Sequence, residues 1–262
     1  MKLLYTILIV GSISISNAQD NNQFSIGFNT FVDFPERSSM PNMGANGGVG
    51  LQFAFSPLPA TPFYLELKSG WGLYSMQTLQ QTFIFDNGAQ TTTDVSYTSK
   101  MSKYLFGFKT MIGHEYRLVR GFVTPQIGVA RMSSKISIAD PEDEDDCKVL
   151  DSKTTQRFTG AIYGGEAGVD IDLNLLTKKV DQGRVVLFAA VSYLRGFKHF
   201  QYANVKYMQD GTHDTHVEHD DRDINAQFIN LSTNQIHEHK IGELYHSTME
   251  MIGFNVGIKL NL

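Results

Sequence analysis

The sequence predicts an all-β protein, an eight-stranded antiparallel up-and-down transmembrane β-barrel with long extracellular loops. Two observations predict this class. Apolar and polar side chains alternate along segments of about ten residues, which is the length of a tilted strand that crosses a bilayer. Charged side chains inside these segments lie on the face opposite the apolar stripe. A lipid-facing apolar surface and a polar interior give a membrane barrel this pattern.

Residues 1–18 are predicted to be a secretory signal peptide. Lys2 supplies the positive start, residues 3–10 form an apolar run, and Ser16, Asn17 and Ala18 form a small-x-small cleavage site. Residues 19–262 are then predicted to form one barrel domain. No later segment approaches the run of about 18 apolar residues that a transmembrane helix needs.

The first five strands are predicted at residues 23–34, 47–55, 63–76, 103–113 and 122–132. Each has one apolar stripe facing outward. In chain order the stripes are Phe24, Ile26, Phe28, Val32 and Phe34; Val49, Leu51, Phe53 and Phe55; Phe63, Leu65, Leu67, Trp71 and Leu73; Tyr104, Phe106, Phe108 and Ile112; Val123, Pro125, Ile127 and Val129. Proline cannot donate a hydrogen bond to a neighbouring strand, so a bulge is predicted at Pro125.

The last three strands are predicted at residues 158–173, 184–197 and 251–262. The seventh is apolar on both faces, and we assign Val185, Leu187, Ala189, Val191 and Tyr193 to the outside. The eighth alternates strictly. Its outward residues are Ile252, Phe254, Val256, Ile258, Leu260 and Leu262.

Three long polar connections are predicted as loops, at residues 77–102, 133–156 and 198–247, and shorter links separate the other strands. Long and short connections alternate in outer-membrane barrels, in which the periplasmic turns are short and the external loops long.

Seven charged residues are predicted to form a mutually compensating network in the lumen. They are Glu66, Lys68, Lys109, Glu166, Asp170, Asp172 and Lys259. In the interior of a soluble barrel each charge would carry a desolvation cost of several kcal/mol. A soluble protein would also not expose so much contiguous apolar surface. The charge pattern therefore favours a membrane barrel.

Several stretches resemble a known family. They are FSIGFNTFVDF at residues 24–34, FVTPQIGVA at residues 122–130, YLRGF at residues 193–197, and the closing strand. The chain resembles the outer-membrane β-barrel proteins of the Bacteroidota, which include PorT-like members, and the small OmpA- and OmpX-type eight-stranded barrels. The resemblance implies a location in the cell outer membrane. It carries over no catalytic residue.

Histidines concentrate in the last predicted loop, where His213, His216 and His219 are spaced three apart beside acidic residues. Imidazole and carboxylate ligands suit zinc or copper, so these three histidines are the candidate metal ligands. The alternative is a solvated polar loop, because the spacing matches no established ligand motif. The acidic run at residues 141–146 is predicted to be solvated as well.

Composition narrows the choice of function. The formal charge of −5 argues against a nucleic-acid partner. No compact nucleophile–histidine–acid group and no G-x-S-x-G motif stands out, so neither an enzyme nor a cofactor is predicted. The prediction is a structural, scaffold or partner-binding protein in contact with outer-membrane lipid, or an accessory that docks on a secretion or assembly machine. The alternatives are an enzyme at the barrel rim, a hydrolase or acyltransferase, and a narrow channel.

Overall fold

The computed structural model describes residues 23–58, 61–84, 90–113, 118–139, 149–173, 185–204, 223–229 and 236–262. The predicted signal peptide lies outside these residues. Within them, no helix has the length and apolar character needed to cross a membrane.

The described residues form nine strands in one antiparallel sheet. In chain order they are β1 (Phe24–Pro35), β2 (Asn46–Phe55), β3 (Phe63–Ile84), β4 (Gln90–Ile112), β5 (Val119–Ala139), β6 (Val149–Asp172), β7 (Val185–Asn204), β8 (Asp223–Ile229) and β9 (Ile236–Asn261). Strands β1 to β7 pair with their neighbours in sequence, and β7 pairs with β9. Pairing of β1 with β9 closes an eight-stranded barrel, and β8 adds only to the upper part of β9. The predicted fold class is therefore confirmed.

The three long loops were predicted wrongly in extent, because strands occupy much of each. Strands β3 and β4 continue as a paired hairpin to Ile84 and Gln90, and β5 and β6 pair up to Ala139 and Val149. The third predicted loop contains the end of β7, all of β8 and the first part of β9. In these Thr-, Ser- and Gln-rich segments the outward side chains are polar, and the apolar ones, such as Val95, Met132 and Ile136, point inward and are buried. The outward apolar stripe by which the other strands were recognised is therefore missing.

The bulge predicted at Pro125 is absent from the described strands. Pro125 pairs with Gly165 of β6 without a register shift. On its other side, the pairing with β4 lapses between the pairs Gly107–Gln126 and Thr110–Val123 and resumes in the same register. The missing N–H of proline thus interrupts the ladder without inserting a residue.

We call the end of the barrel at which β1 begins and β9 ends its lower end. The outer surface of this lower part is apolar all the way round. Every barrel strand contributes exposed large side chains, among them Phe28, Phe34, Val49, Phe53, Leu67, Trp71, Tyr104, Phe106, Val123, Ile127, Tyr163, Val169, Leu187, Val191, Tyr193, Phe254, Val256 and Ile258. The assignment of β7, with Leu187, Val191 and Tyr193 outward, agrees with the structure. A surface of this kind is expected where lipid, rather than water, surrounds the barrel.

The barrel wall continues beyond this apolar surface. Six of the eight barrel strands are 20 to 26 residues long. The projecting part, as we call it, comprises residues 77–84, 90–102, 131–139, 149–161, 198–204, 223–229 and 236–250. Here β6 and β7 separate, since their pairing ends at Ile162 and Gly196. The wall thereby divides into one sheet of β3 to β6 and another of β7, β9 and β8.

Candidate functional site

The candidate site is the barrel interior, whose lower half carries charged side chains. Strand alternation points Glu66, Lys109, Glu166, Asp170 and Lys259 inward, and each is at most 7% exposed. The Lys68 side chain is 14% exposed. These residues come from four strands, β3, β4, β6 and β9, so their contacts cross the lumen.

Lys68 joins two carboxylates. Its Nζ lies 2.5 Å from Glu166 Oε1 and 3.0 Å from Glu66 Oε2. The Nδ2 of Asn255 donates a hydrogen bond to the other oxygen of Glu166, at 3.2 Å. Charge-assisted hydrogen bonds of this length compensate the loss of hydration that burial imposes on each group.

The contacts of Lys68 form one centre of the network, and Asp170 forms the second, because two lysines share its carboxylate. Lys259 Nζ lies 2.7 and 2.6 Å from its two oxygens, and Lys109 Nζ lies 3.0 Å from Oδ2. Lys109 Nζ also lies 3.8 Å from Glu66 Oε1, which links the two centres, and 3.8 Å from the ring centre of Phe122. Six of the seven residues predicted for the lumen therefore meet in one network.

The seventh predicted residue, Asp172, lies one inward position below Asp170 on β6 and is 4% exposed. Its backbone N–H donates to the carbonyl of Leu118, at 2.9 Å. Asp172 thus lies where β6 meets the turn before β5.

Sequence reasoning missed a second buried ion pair higher in the lumen. Lys103 Nζ lies 2.7 and 2.9 Å from the two carboxylate oxygens of Asp33, and Asn46 Nδ2 donates to Oδ2 at 3.0 Å. The lysine also lies 4.0 Å from the ring centre of Phe31. The sequence contained a signal, because Lys103 has the same inward parity as Lys109, but it stood at the edge of a strand predicted too short.

A cavity of about 20 Å³ separates the two charged groups. Gln52 and Gln126 line it, and the Nε2 of Gln52 and both amide atoms of Gln126 have no hydrogen-bond partner among the described residues. A space of this size holds a water molecule, which needs about two to four polar partners. The lumen at this level has room for water but not for a solute.

The upper half of the interior is apolar and rich in methionine. Its buried members are Met40, Met43, Tyr74, Met101, Leu105, Ala130, Met132, Ile162, Leu194, Phe200, Tyr202, Met249 and Met251. Phe158 and Tyr245 pack against them. Thioether side chains are flexible and fill irregular gaps, which suits a space bounded by two separating sheets.

Two of these methionines belong to the plug segment, residues 36–45, which connects β1 to β2. Met40 and Met43 are 1% and 9% exposed. The Glu36 N–H donates to the Glu250 carbonyl at 2.9 Å, and Ser39 Oγ donates to the Glu250 carboxylate at 2.7 Å. The plug segment therefore lies over the lumen and is bound to β9.

Tyr202, in the projecting part of β7, holds the plug segment from the strand next to β9, where it pairs with Tyr245. Its hydroxyl donates to the carbonyl of Pro41 at 2.8 Å, and its ring stacks on Tyr245 with the ring centres 5.5 Å apart. Burial raises the pKa of Tyr202 to about 12, so the phenol remains protonated and able to donate this bond.

The candidate metal ligands His213, His216 and His219 lie outside the described residues, as does the acidic run at 141–146. Within the described part of the chain, no group of three or more His, Cys, Asp or Glu residues could hold a metal ion. The zinc or copper site stays a prediction.

Solved structures with a similar arrangement are small outer-membrane barrels. Neisserial surface protein A aligns with 91% of this chain and 97% of its own, at 8% identity and a TM-score of 0.41. Ail, the attachment invasion locus protein of Yersinia pestis, covers the same shares at 10% identity and a TM-score of 0.38. A major outer membrane protein from Thermus thermophilus aligns over 91% and 99% at 12% identity and a TM-score of 0.39. No protein-family model and no curated protein sequence matches the chain.

The closed topology, the apolar outer surface and the ion pairs inside are properties of this chain's own strands. Together they confirm the predicted location, because a closed barrel with lipid-facing side chains is the form in which β-strands cross an outer membrane. The chain is an eight-stranded outer-membrane β-barrel.

Proposed function

We propose that this protein is a non-conducting outer-membrane barrel that binds a protein partner through its projecting part. The observation that carries the proposal is strand length. Six strands of 20 to 26 residues are about twice the ~9–11 residues that a bilayer requires. A barrel that served only as an anchor would need no such extension.

The filled interior supports binding rather than transport. Ion pairs cross the lower lumen, and the methionine-rich core and the plug segment occupy the upper lumen. The surface left for function is the outside of the projecting part. Its strand edges, where β6 and β7 separate, offer backbone groups that an extended partner segment could pair with. Residues 1–18, as a signal peptide, would supply export.

The partner lies either outside the cell or in a secretion or assembly machine of the same membrane. The test separates partner binding from a channel. The β3–β4 hairpin is shortened by joining Thr78 to Ser96, which are paired, through an Asn-Gly turn. The shortened barrel should still show the mobility difference between unboiled and boiled samples. It should lose proteins that crosslink to the full chain in intact cells.

A matched control replaces residues 85–89 alone with Asn-Gly and leaves every described pair of that hairpin in place. It should keep the crosslinked partner. Retention of the partner by the shortened barrel would contradict the proposal for this hairpin. Large, stable conductance steps of the purified full chain in planar bilayers would contradict the non-conducting interior.

A further inference from the structure

Five cations form a basic band on the outside of the barrel. They are Lys100 of β4, Arg131 and Lys135 of β5, Arg157 of β6 and Lys198 of β7, and all are exposed. The sequences around the first four, residues 96–104, 131–137 and 154–163, contain no Asp or Glu. Within these stretches the positive charges on β4, β5 and β6 therefore have no acidic neighbour along their own strands.

The strand registers bring three of these cations together. Arg131 pairs with Ser102 on one side and Thr159 on the other. Ser133, the next outward position of β5, pairs with both Lys100 and Arg157. Lys100 and Arg157 thus flank β5 at the same level, directly above Arg131, and the residues between the cations are small hydroxyl side chains.

The basic band begins where the apolar surface ends. Arg131 is the next outward residue after Val129, which is 42% exposed. Lys100 lies two outward positions beyond Tyr104, and Arg157 three beyond Tyr163. At about 3.3 Å per residue, the cations begin roughly 7 Å beyond the last lipid-facing side chain, the depth of lipid headgroups.

The opposite side of the barrel differs at this level. There β9 and the start of the plug segment present Glu250 and Glu36 beside Arg37, and Glu250 also pairs with Arg195 of β7 at 3.1 Å. Charges of both signs compensate on that side. Among the residues whose exposure the structure describes, the excess of positive charge at this level lies on β4, β5, β6 and the adjoining Lys198.

We propose that the basic band binds the phosphate groups of phosphorylated glycolipids in the outer leaflet. The acyl chains of the same lipid would lie on the apolar face below, at Val129, Tyr104 and Tyr163. Guanidinium groups suit phosphate because they donate two parallel hydrogen bonds, and lysine adds charge. The proposal depends on the placement of the barrel in the membrane described above. It assigns a lipid ligand to the projecting part in addition to the protein partner proposed there.

The test uses the full chain refolded into phosphatidylcholine vesicles that contain either a phosphorylated glycolipid, lipid A, or the same glycolipid without its phosphates. After mild detergent extraction, glycolipid retained per barrel is measured. The wild type should retain the phosphorylated form. The variant Lys100→Gln/Arg131→Gln/Lys135→Gln/Arg157→Gln should retain about tenfold less, since its charge-assisted bonds are lost.

The charge-conserving variant Lys100→Arg/Arg131→Lys/Lys135→Arg/Arg157→Lys should retain nearly as much as the wild type. Equal retention by the glutamine variant, or equal retention of the dephosphorylated glycolipid, would overturn the proposal. Displacement of the glycolipid by millimolar inorganic phosphate would show a phosphate site that does not need the lipid, which would also overturn it.

The mobility of unboiled samples separates this result from the membrane placement itself. Wild type and variants that insert equally yet retain glycolipid equally would overturn only the lipid site. Failure of the wild type to insert into any vesicle would overturn the membrane placement and the lipid site together.

Discussion

The lower and upper halves of the interior fill the same kind of space with opposite chemistry. Below, Asp170 and its two lysines are held by bonds of 2.6 to 3.0 Å that depend on position and charge. Above, Met132, Met249 and the other methionines pack through apolar surface, and hydrogen bonds come only from a few hydroxyl side chains around them, such as Tyr202. A substitution that keeps the size of a side chain but removes its charge or polarity should therefore lower the free energy of unfolding far more in the lower half than in the upper half.

The largest effect is expected for Asp170→Asn. The substitution keeps the size of the side chain but leaves Lys109 and Lys259 as buried cations without their shared carboxylate. Loss of one partner from a buried ion pair lowers the free energy of unfolding by about 3–5 kcal/mol. Urea unfolding of the barrel in detergent micelles, followed by tryptophan fluorescence, measures it.

The matched control is Glu36→Gln, the same change of carboxylate to amide on an exposed residue of the plug segment. It should lower the unfolding free energy by less than about 0.5 kcal/mol. The double variant Asp170→Asn/Lys259→Met should recover part of the loss, because it removes one uncompensated cation. If Asp170→Asn and Glu36→Gln lowered the unfolding free energy equally, the buried ion pairs would not be what stabilises the lower half.

The second largest effect is expected in the upper half, for Met40→Ala in the plug segment. Removing a buried methionine side chain leaves a cavity and costs about 2–5 kcal/mol, at the low end where the surroundings can relax. Met40→Leu, which nearly conserves volume, should cost less than about 1.5 kcal/mol. The same urea titration measures both. If Met40→Leu lowered the unfolding free energy as much as Asp170→Asn, packing in the upper half would be as sensitive to a conservative substitution as the ion pairs in the lower half.

The smallest effect is expected for Tyr202→Phe, which removes the hydrogen bond to the Pro41 carbonyl and should cost about 1 kcal/mol near pH 8. Because folding raises the pKa of Tyr202 to about 12, its contribution is complete below the ordinary tyrosine pKa of about 10 and is lost as pH rises through 12. The stability advantage of wild type over Tyr202→Phe should shrink as the pH rises from about 10 to about 12. A stability difference between wild type and Tyr202→Phe that stays constant over this pH range would contradict the burial of the phenol.

The membrane-crossing part of the fold could be predicted because lipid imposes a strict pattern. Val256 and Ile258 face lipid while Asn255 and Lys259 face the lumen, and this alternation appears directly in the sequence. The projecting part could not be predicted in the same way. Residues such as Thr78 and Ser96 form an exposed strand pair, and because water lies outside them, no outward apolar stripe marks these strands in the sequence.

The interior, too, could be predicted from the sequence only in part. Glu66, Lys109 and Asp170 were predicted to face the lumen because charge is excluded from the lipid side, but their pairing required the register between strands. Met40 and Met43 gave no signal, because the plug segment has no period of two or of 3.6 residues. Its position follows from the tertiary contacts with Glu250 and Tyr202.

The methionine-rich core also has a consequence for oxidation chemistry. A thioether that is oxidised to the sulfoxide becomes polar, and a polar group without a partner does not fit among the rings of Phe200 and Tyr202. Met249 and Met251 are at most 1% exposed, so an oxidant has no access to them while the core stays packed. Oxidation of either thioether would require a loosening of this packing and would then hinder the core from packing again.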